Sequence, residues 1–188
     1  SRGLGDVYKR QLYDCCDQFG VRLIGGDTTQ SPHLTLSVTA LGWVDTGLAV
    51  PRSGAQIGDL ICVSGTVGDA AFGLKHLGHD LQKRLDYPTP RCALGAALKG
   101  LANSMIDVSD GLAQDLGHIL KASDVGAKLQ LENLPLSTAL HALNDEQKWQ
   151  YALAGGDDYE LCFTISPQNY EKLLQKQLDV SISIIGTI

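Results

Sequence analysis

A strand-like apolar run, Leu101 to Ile106, ends in Asp107-Val108-Ser109-Asp110-Gly111. It passes at once into a helical pattern, with Leu112, Leu116, Ile119 and Leu120 recurring at three- and four-residue steps. A chain written this way must turn from strand to helix over a few polar residues, and so packs helices against a sheet. Unpaired N–H groups at a helix N-terminus attract anions and the cations that travel with them. Asp107, Ser109 and Asp110 therefore have two readings. They can bind an anion or its metal, or Ser109 or Asp110 can cap the helix while Gly111 eases the turn.

The two patterns alternate along most of the chain. Leu12, Cys15, Cys16 and Phe19 form one helical face, which Gly20 ends. Val21 to Ile24 and Leu34 to Ala40 read as strands, the second continuing through Val44 with Trp43 in the core. Ala49 to Gly58 is a connector rich in turn residues. Beyond it, strands are expected over Asp59–Ser64, Lys128–Leu134, Leu161–Ile165 and Val180–Ile188. Helices are expected over Asp69–His76, Arg91–Leu101, Leu112–Ser123 (stopped by Gly126), Pro135–Leu143, Asp145–Ala154 and Pro167–Leu178, the last capped by Ser166. The expected fold is α+β with α/β-like alternation, a mixed sheet packed by helices.

Three glycine-acid loops carry the candidate chemistry. Gly25-Gly26-Asp27-Thr28-Thr29 follows a short strand; its glycines allow close backbone approach to a ligand, and Asp27 either holds a cation or closes a turn. Gly155-Gly156-Asp157-Asp158-Tyr159-Glu160 opens the strand at Leu161, and solvation explains Asp158 or Glu160 singly better than it explains the cluster. The third loop is Asp107 to Gly111. Arg52, the strong charge of the connector, reads either as a solvated side chain or as a phosphate clamp. Gly65-Thr66-Val67-Gly68 lacks the Lys-Ser/Thr of a Walker loop and reads as a packing turn. His76 and His79 read as surface or helix-end residues.

A net charge of −6 speaks against nucleic-acid and membrane-surface partners, which call for a basic stripe. It does not speak against phosphate, which carboxylates reach through Mg²⁺. The five cysteines have no metal-type spacing and read as reduced core thiols of a cytoplasmic protein. No apolar run approaches the roughly 20 residues of a membrane span. Residues 1–11 show neither period and read as a non-native or disordered leader. With no initiator Met, and with a strand-like run at its end, the chain reads as an internal piece of a longer protein.

Four segments together resemble one family. They are Leu23-Ile24-Gly25-Gly26-Asp27-Thr28-Thr29, Arg52-Ser53-Gly54-Ala55 with Gly58-Asp59, Ile106 to Leu112, and Gly155 to Leu161. In order and spacing the chain resembles the thiamine-monophosphate kinases, whose fold is shared with aminoimidazole ribonucleotide synthetase and selenophosphate synthetase. The resemblance implies the tail of an N-terminal ATP-binding domain (12–50), a linker (51–58) and an aminoimidazole ribonucleotide synthetase-like C-terminal domain (59–188). It implies ATP and Mg²⁺ as co-substrate and cofactor, thiamine monophosphate as substrate, and a cytoplasmic homodimer. Asp27, Asp107 and Asp110 would be Mg²⁺ ligands. Gly26, Asp27, Arg52 and Ser109 would contact ATP, with Arg52 stabilising charge. Asp157, standing where the family usually has Glu, would contact substrate.

That chemistry needs no strong general base, since the attacking phosphate is already ionised and the burden is alignment and charge neutralisation. Two alternatives stand beside it: another ATP-dependent enzyme of the same fold acting on a purine precursor or selenide, and a non-catalytic acidic metal-binding module. The family's N-terminal part supplies further metal-binding aspartates, so this chain alone is expected to have little or no kinase activity.

Overall fold

The computed structural model describes residues 2–188, with the side chains of residues 2–6 and 8 outside that description. It divides into two compact units, Ser1–Gly42 and Trp43–Ile188.

The first unit opens with helix α1 (Arg2–Gln18), so the backbone is helical through the segment expected to lack regular structure. The helix closes on Gly20, whose φ of +64 suits a residue without a side chain, and Val21 N–H donates to the Cys16 carbonyl at 2.8 Å. The remainder has no regular secondary structure and belongs to no ladder among the described residues, contrary to the strands expected at Val21–Ile24 and Leu34–Ala40. Leu34, Leu36 and Val38 are exposed. Alternation assigns side chains to two faces; it forms a strand only where a second strand takes up the backbone hydrogen bonds. Trp43, expected in the core, is fully exposed.

The second unit is ordered β1 (Leu60–Ser64), α2 (Asp69–Lys75), α3 (Gln82–Asp86), α4 (Cys92–Leu98), β2 (Ala102–Asp107), α5 (Leu112–Ser123), β3 (Lys128–Leu129), a 3₁₀ turn (Leu131–Asn133), α6 (Thr138–His141), α7 (Asp145–Ala154), β4 (Leu161–Ile165), α8 (Pro167–Leu174) and β5 (Ile182–Thr187). The sheet order is β2-β4-β1-β5-β3, and every pairing is antiparallel. The sheet is therefore not mixed, although the α+β class stands. The physical reason lies in the order: β1 and β2 point the same way, but β4 lies between them, and β1 likewise splits β4 from β5. These are split βαβ units, in which strand–helix–strand alternation survives while the parallel neighbours are separated.

Both faces of the sheet are covered. Ile61, Val63, Cys162 and Ile185 pack on one side with Leu112, Leu116 and Ile119 of α5. Cys62, Phe163 and Ile165 pack on the other with Leu94, Leu98 and Leu173. Strands buried on both sides read as unbroken apolar runs, as Leu60–Val63 does. Cys62 and Cys162 are fully buried, core thiols as expected, and burial pushes both up to about 12. Cys15 and Cys92 are exposed instead.

Some boundaries move inward. Asp124 ends α5 in the left-handed conformation (φ 55), two residues before Gly126. The strand expected to Leu134 pairs only over β3, and α8 stops at Leu174. Ser166 caps α8 as expected, accepting the Asn169 N–H at 3.3 Å.

Candidate phosphate and metal site

The geometry begins at the β2·β4 pair, where Asp107 lies opposite Leu161. Backbone pairing continues past the strand ends. Val108 N–H donates to the Glu160 carbonyl (2.8 Å), Tyr159 N–H to Val108 (2.9 Å) and Asp157 N–H to Ser109 (3.0 Å). The loop of Gly155–Glu160 is thus zipped onto the loop of Asp107–Gly111, and Asp107, Ser109, Asp110 and Asp157 come together. Gly156 permits this: a Cβ there would lie 2.4 Å from the Ser109 carbonyl oxygen.

The helix that follows is not capped as expected. Neither Ser109 nor Asp110 caps α5; Gly111 stands at the cap position without a side-chain bond. Asp115, from inside the first turn, reaches back with Oδ2 to accept the N–H groups of Ser109 (2.9 Å) and Asp110 (3.0 Å). Asp115 is buried and neutralises the positive end of the helix. The Ser109 hydroxyl is left for other work, and the exposed Asp110 carboxylate accepts a bond from Gln114 Nε2 at 3.4 Å.

Arg52 reaches the same place by a different route. The connector lies along the free edge of β2, with Met105 N–H donating to the Pro51 carbonyl at 3.0 Å. Ser123 Oγ, at the end of α5, accepts the N–H groups of both Gly54 and Ala55 at 3.1 Å. Gly54 has φ +119, and a Cβ there would lie 2.7 Å from the Asn103 carbonyl oxygen. Arg52 and Asp107 consequently border one hollow of about 460 Å³, with Val50, Pro51, Met105 and Leu161. Asp107 also borders a second hollow of about 300 Å³, formed with Pro88, Pro90, Arg91, Tyr159 and Leu161.

The field there is acidic. Tyr159 donates its hydroxyl hydrogen to Asp157 Oδ1 at 3.2 Å. That bond and the Asp157 charge, with smaller contributions from partial burial and from Asp107 and Asp110, hold the phenol above its ordinary range. No group of three or more His, Cys, Asp or Glu side chains converges on one point among the described residues. The carboxylates form an open acidic rim and not a closed cage.

Two acids of the loop, each of which solvation alone could have explained, are buried. Asp158 accepts the N–H groups of Gly68 (2.5 Å) and Ala70 (3.1 Å) at the start of α2. Burial raises its carboxyl to about 6 against the pull of those two donors. Glu160 is fully buried and paired with Arg84 and Arg91. Arg91 and Glu160 went unassigned in the sequence because their partners are 69 residues apart. Gly26 and Asp27 lie in the first unit, where the Asp27 carboxylate accepts the N–H of the adjacent Thr28 at 2.7 Å.

Residues 56–188 match the family model described as AIR synthase related protein, C-terminal domain, and residues 7–44 match the corresponding N-terminal domain. The chain belongs to the AIR synthase related family. Within it, the chain is 46% identical to the thiamine-monophosphate kinase of Escherichia coli K12, over 96% of this chain and 58% of that protein. A crystal structure of thiamine-monophosphate kinase from Stenotrophomonas maltophilia K279a superposes with a TM-score of 0.71 and 42% identity, over 77% of this chain and 51% of that one. A structure described as AaThiL complexed with AMPPCP and TMP superposes with a TM-score of 0.61 and 33% identity, over 73% and 47%. The chain spans little more than half the length of the curated relatives it matches.

Proposed function

We propose that the whole protein transfers the γ-phosphoryl group of ATP to thiamine monophosphate, giving thiamine diphosphate and ADP. The observation that carries this reading is the zipper placing Asp157 beside Asp107–Asp110 with Arg52 across the adjoining hollow. It puts an acidic rim and one cation where the ATP triphosphate and the acceptor's phosphate would meet. The similar AaThiL structure, which holds AMPPCP and TMP, supports it.

In this reading an oxygen of the thiamine phosphate attacks the γ-phosphorus in line. The bond from that phosphorus to the β,γ-bridging oxygen breaks, and ADP leaves with the electron pair. Asp107 and Asp110 would hold Mg²⁺, since both are hard oxygen donors on an open rim, and the ion would supply charge neutralisation at the phosphates. Ser109 contacts ATP. Arg52 offsets charge that builds in the transition state. Asp157 contacts the acceptor. In the first unit, Asp27 would be a further Mg²⁺ ligand and Gly26 a backbone contact to ATP. A cytoplasmic homodimer is the setting proposed; among the described residues, no helix is long and apolar enough to cross a membrane.

The test is to supply the whole protein with ATP, Mg²⁺ and, in turn, thiamine monophosphate, a purine-precursor substrate or selenide. Equimolar ADP and thiamine diphosphate are expected with the first alone. Turnover of another acceptor would overturn the reading, and a trapped phosphoenzyme would overturn direct transfer.

A further inference from the structure

The Glu160 carboxylate is fully buried, yet it meets three separate elements. Its Oε2 accepts Ser64 Oγ (2.5 Å) at the end of β1 and Arg91 Nε (2.7 Å) just before α4. Its Oε1 accepts Arg91 Nη2 (2.6 Å) and Arg84 Nη2 (2.7 Å) from α3. Space is reserved for it: a Cβ at Gly65 would lie 2.3 Å from Oε1. The two arginines are not equivalent. Arg91 makes the bidentate pair, while Arg84 makes one bond to Glu160 and a longer one, 3.5 Å, to the Asp158 carbonyl, and leaves its buried Nε without a partner among the described residues.

The residues beside this carboxylate are held in an unusual shape. Asp157 and Tyr159 have φ of +65 and +51, a conformation that non-glycine residues keep only where the surroundings enforce it. The Glu160 carbonyl accepts the Val108 N–H, the first bond of the zipper to Asp107–Asp110. Arg91 itself borders the hollow shared by Asp107 and Tyr159.

We infer that Arg91, acting through Glu160, is a positioning residue that sets the Asp157–Tyr159 loop against Asp107–Asp110 and thereby the acceptor side of the reaction. The part concerning acceptor rests on the proposed kinase reading; the part concerning the loop does not. A bidentate guanidinium fixes the angle of the carboxylate as well as its distance, which an ammonium does not do. Lysine in its place keeps the charge and loses the geometry.

Two measurements on Arg91→Lys test this. Amide hydrogen exchange should quicken about tenfold at Val108, Asp157 and Tyr159, the size of one charge-assisted hydrogen bond, and stay unchanged at Gln130 and Ile188 on the other side of the sheet. In the whole protein, KM for thiamine monophosphate should rise about tenfold while KM for Mg·ATP stays within about twofold. Ser64→Ala, which removes one neutral donor to the same carboxylate together with the acceptor of the Leu161 N–H (2.9 Å), should shift both readouts in the same direction, and serves if Arg91→Lys does not fold. Unchanged exchange at the three loop amides, exchange quickened throughout, or equal rises in both KM values would overturn the inference. If the unaltered protein does not turn over thiamine monophosphate, the kinase reading fails and the exchange pattern alone decides the positioning role.

Discussion

Asp157 and Tyr159 hold left-handed backbone conformations with only Asp158 between them, which costs on the order of 1–3 kcal/mol each unless the surroundings compensate. Aspartate tolerates that region better than glutamate, because its short polar side chain bonds locally. A short acid at position 157 is thus consistent with its backbone. Asp158 anchors the middle of the same strained stretch and makes stability depend on pH. Its carboxyl, raised to about 6 by burial, binds a proton more tightly in the folded protein than in the unfolded chain. The folded state therefore gains relative stability below about pH 4 and loses it as pH rises through about 6, by on the order of 3 kcal/mol in total. Urea unfolding at pH 4, 5, 6 and 7 should show the difference between wild type and Asp158→Asn shrinking across that window. A constant difference would contradict the assignment.

At the scale of elements, the strand-to-helix turn shows where short-range reading stops. The strand, turn and α5 were all legible, since apolar spacing switches cleanly from strand to helix between Ile106 and Leu112. The cap was not. A cap motif looks forward from Ser109 or Asp110, whereas here Asp115 looks backward and satisfies both N–H groups with one oxygen. Asp115→Ala leaves two donors of a partly buried turn without their acceptor and should cost about 1–3 kcal/mol. Its melting temperature should fall by several degrees, and Mg·ATP binding measured by calorimetry on the whole protein should weaken. Full retention of both would show that solvent replaces Asp115. The connector gives a similar lesson. Its turn residues were plain, but the bonds that hold it, from Gly54 and Ala55 to Ser123, join positions 68 and 69 residues apart.

For the whole molecule, both buried clusters draw their residues from Ala55 onward, so the cooperative core belongs to the second unit. Residues 43–188 alone should unfold in one transition, with a melting temperature within about 5 °C of the intact chain, by calorimetry or circular dichroism. A broad or absent transition would show that the first unit is needed for folding. The sequence by itself determined the α+β class, most helices of the second unit and the acidic character of the three loops. These follow from period and residue type, which are local properties. Only the tertiary structure decided which strands are neighbours, because split βαβ order depends on where β4 arrives after the helices have formed. It likewise decided that the apolar alternation at Leu34–Ala40 makes no ladder, since pairing needs a partner and not a pattern. At Asp107 to Gly111, local chemistry named the candidate residues. The company they keep came from the tertiary structure: Asp157 by backbone zipper, Arg52 by a connector laid along the β2 edge, and Glu160 with Arg91 beneath the loop. Hydrogen bonds between segments tens of residues apart set those distances, and no short motif contains both ends of such a bond.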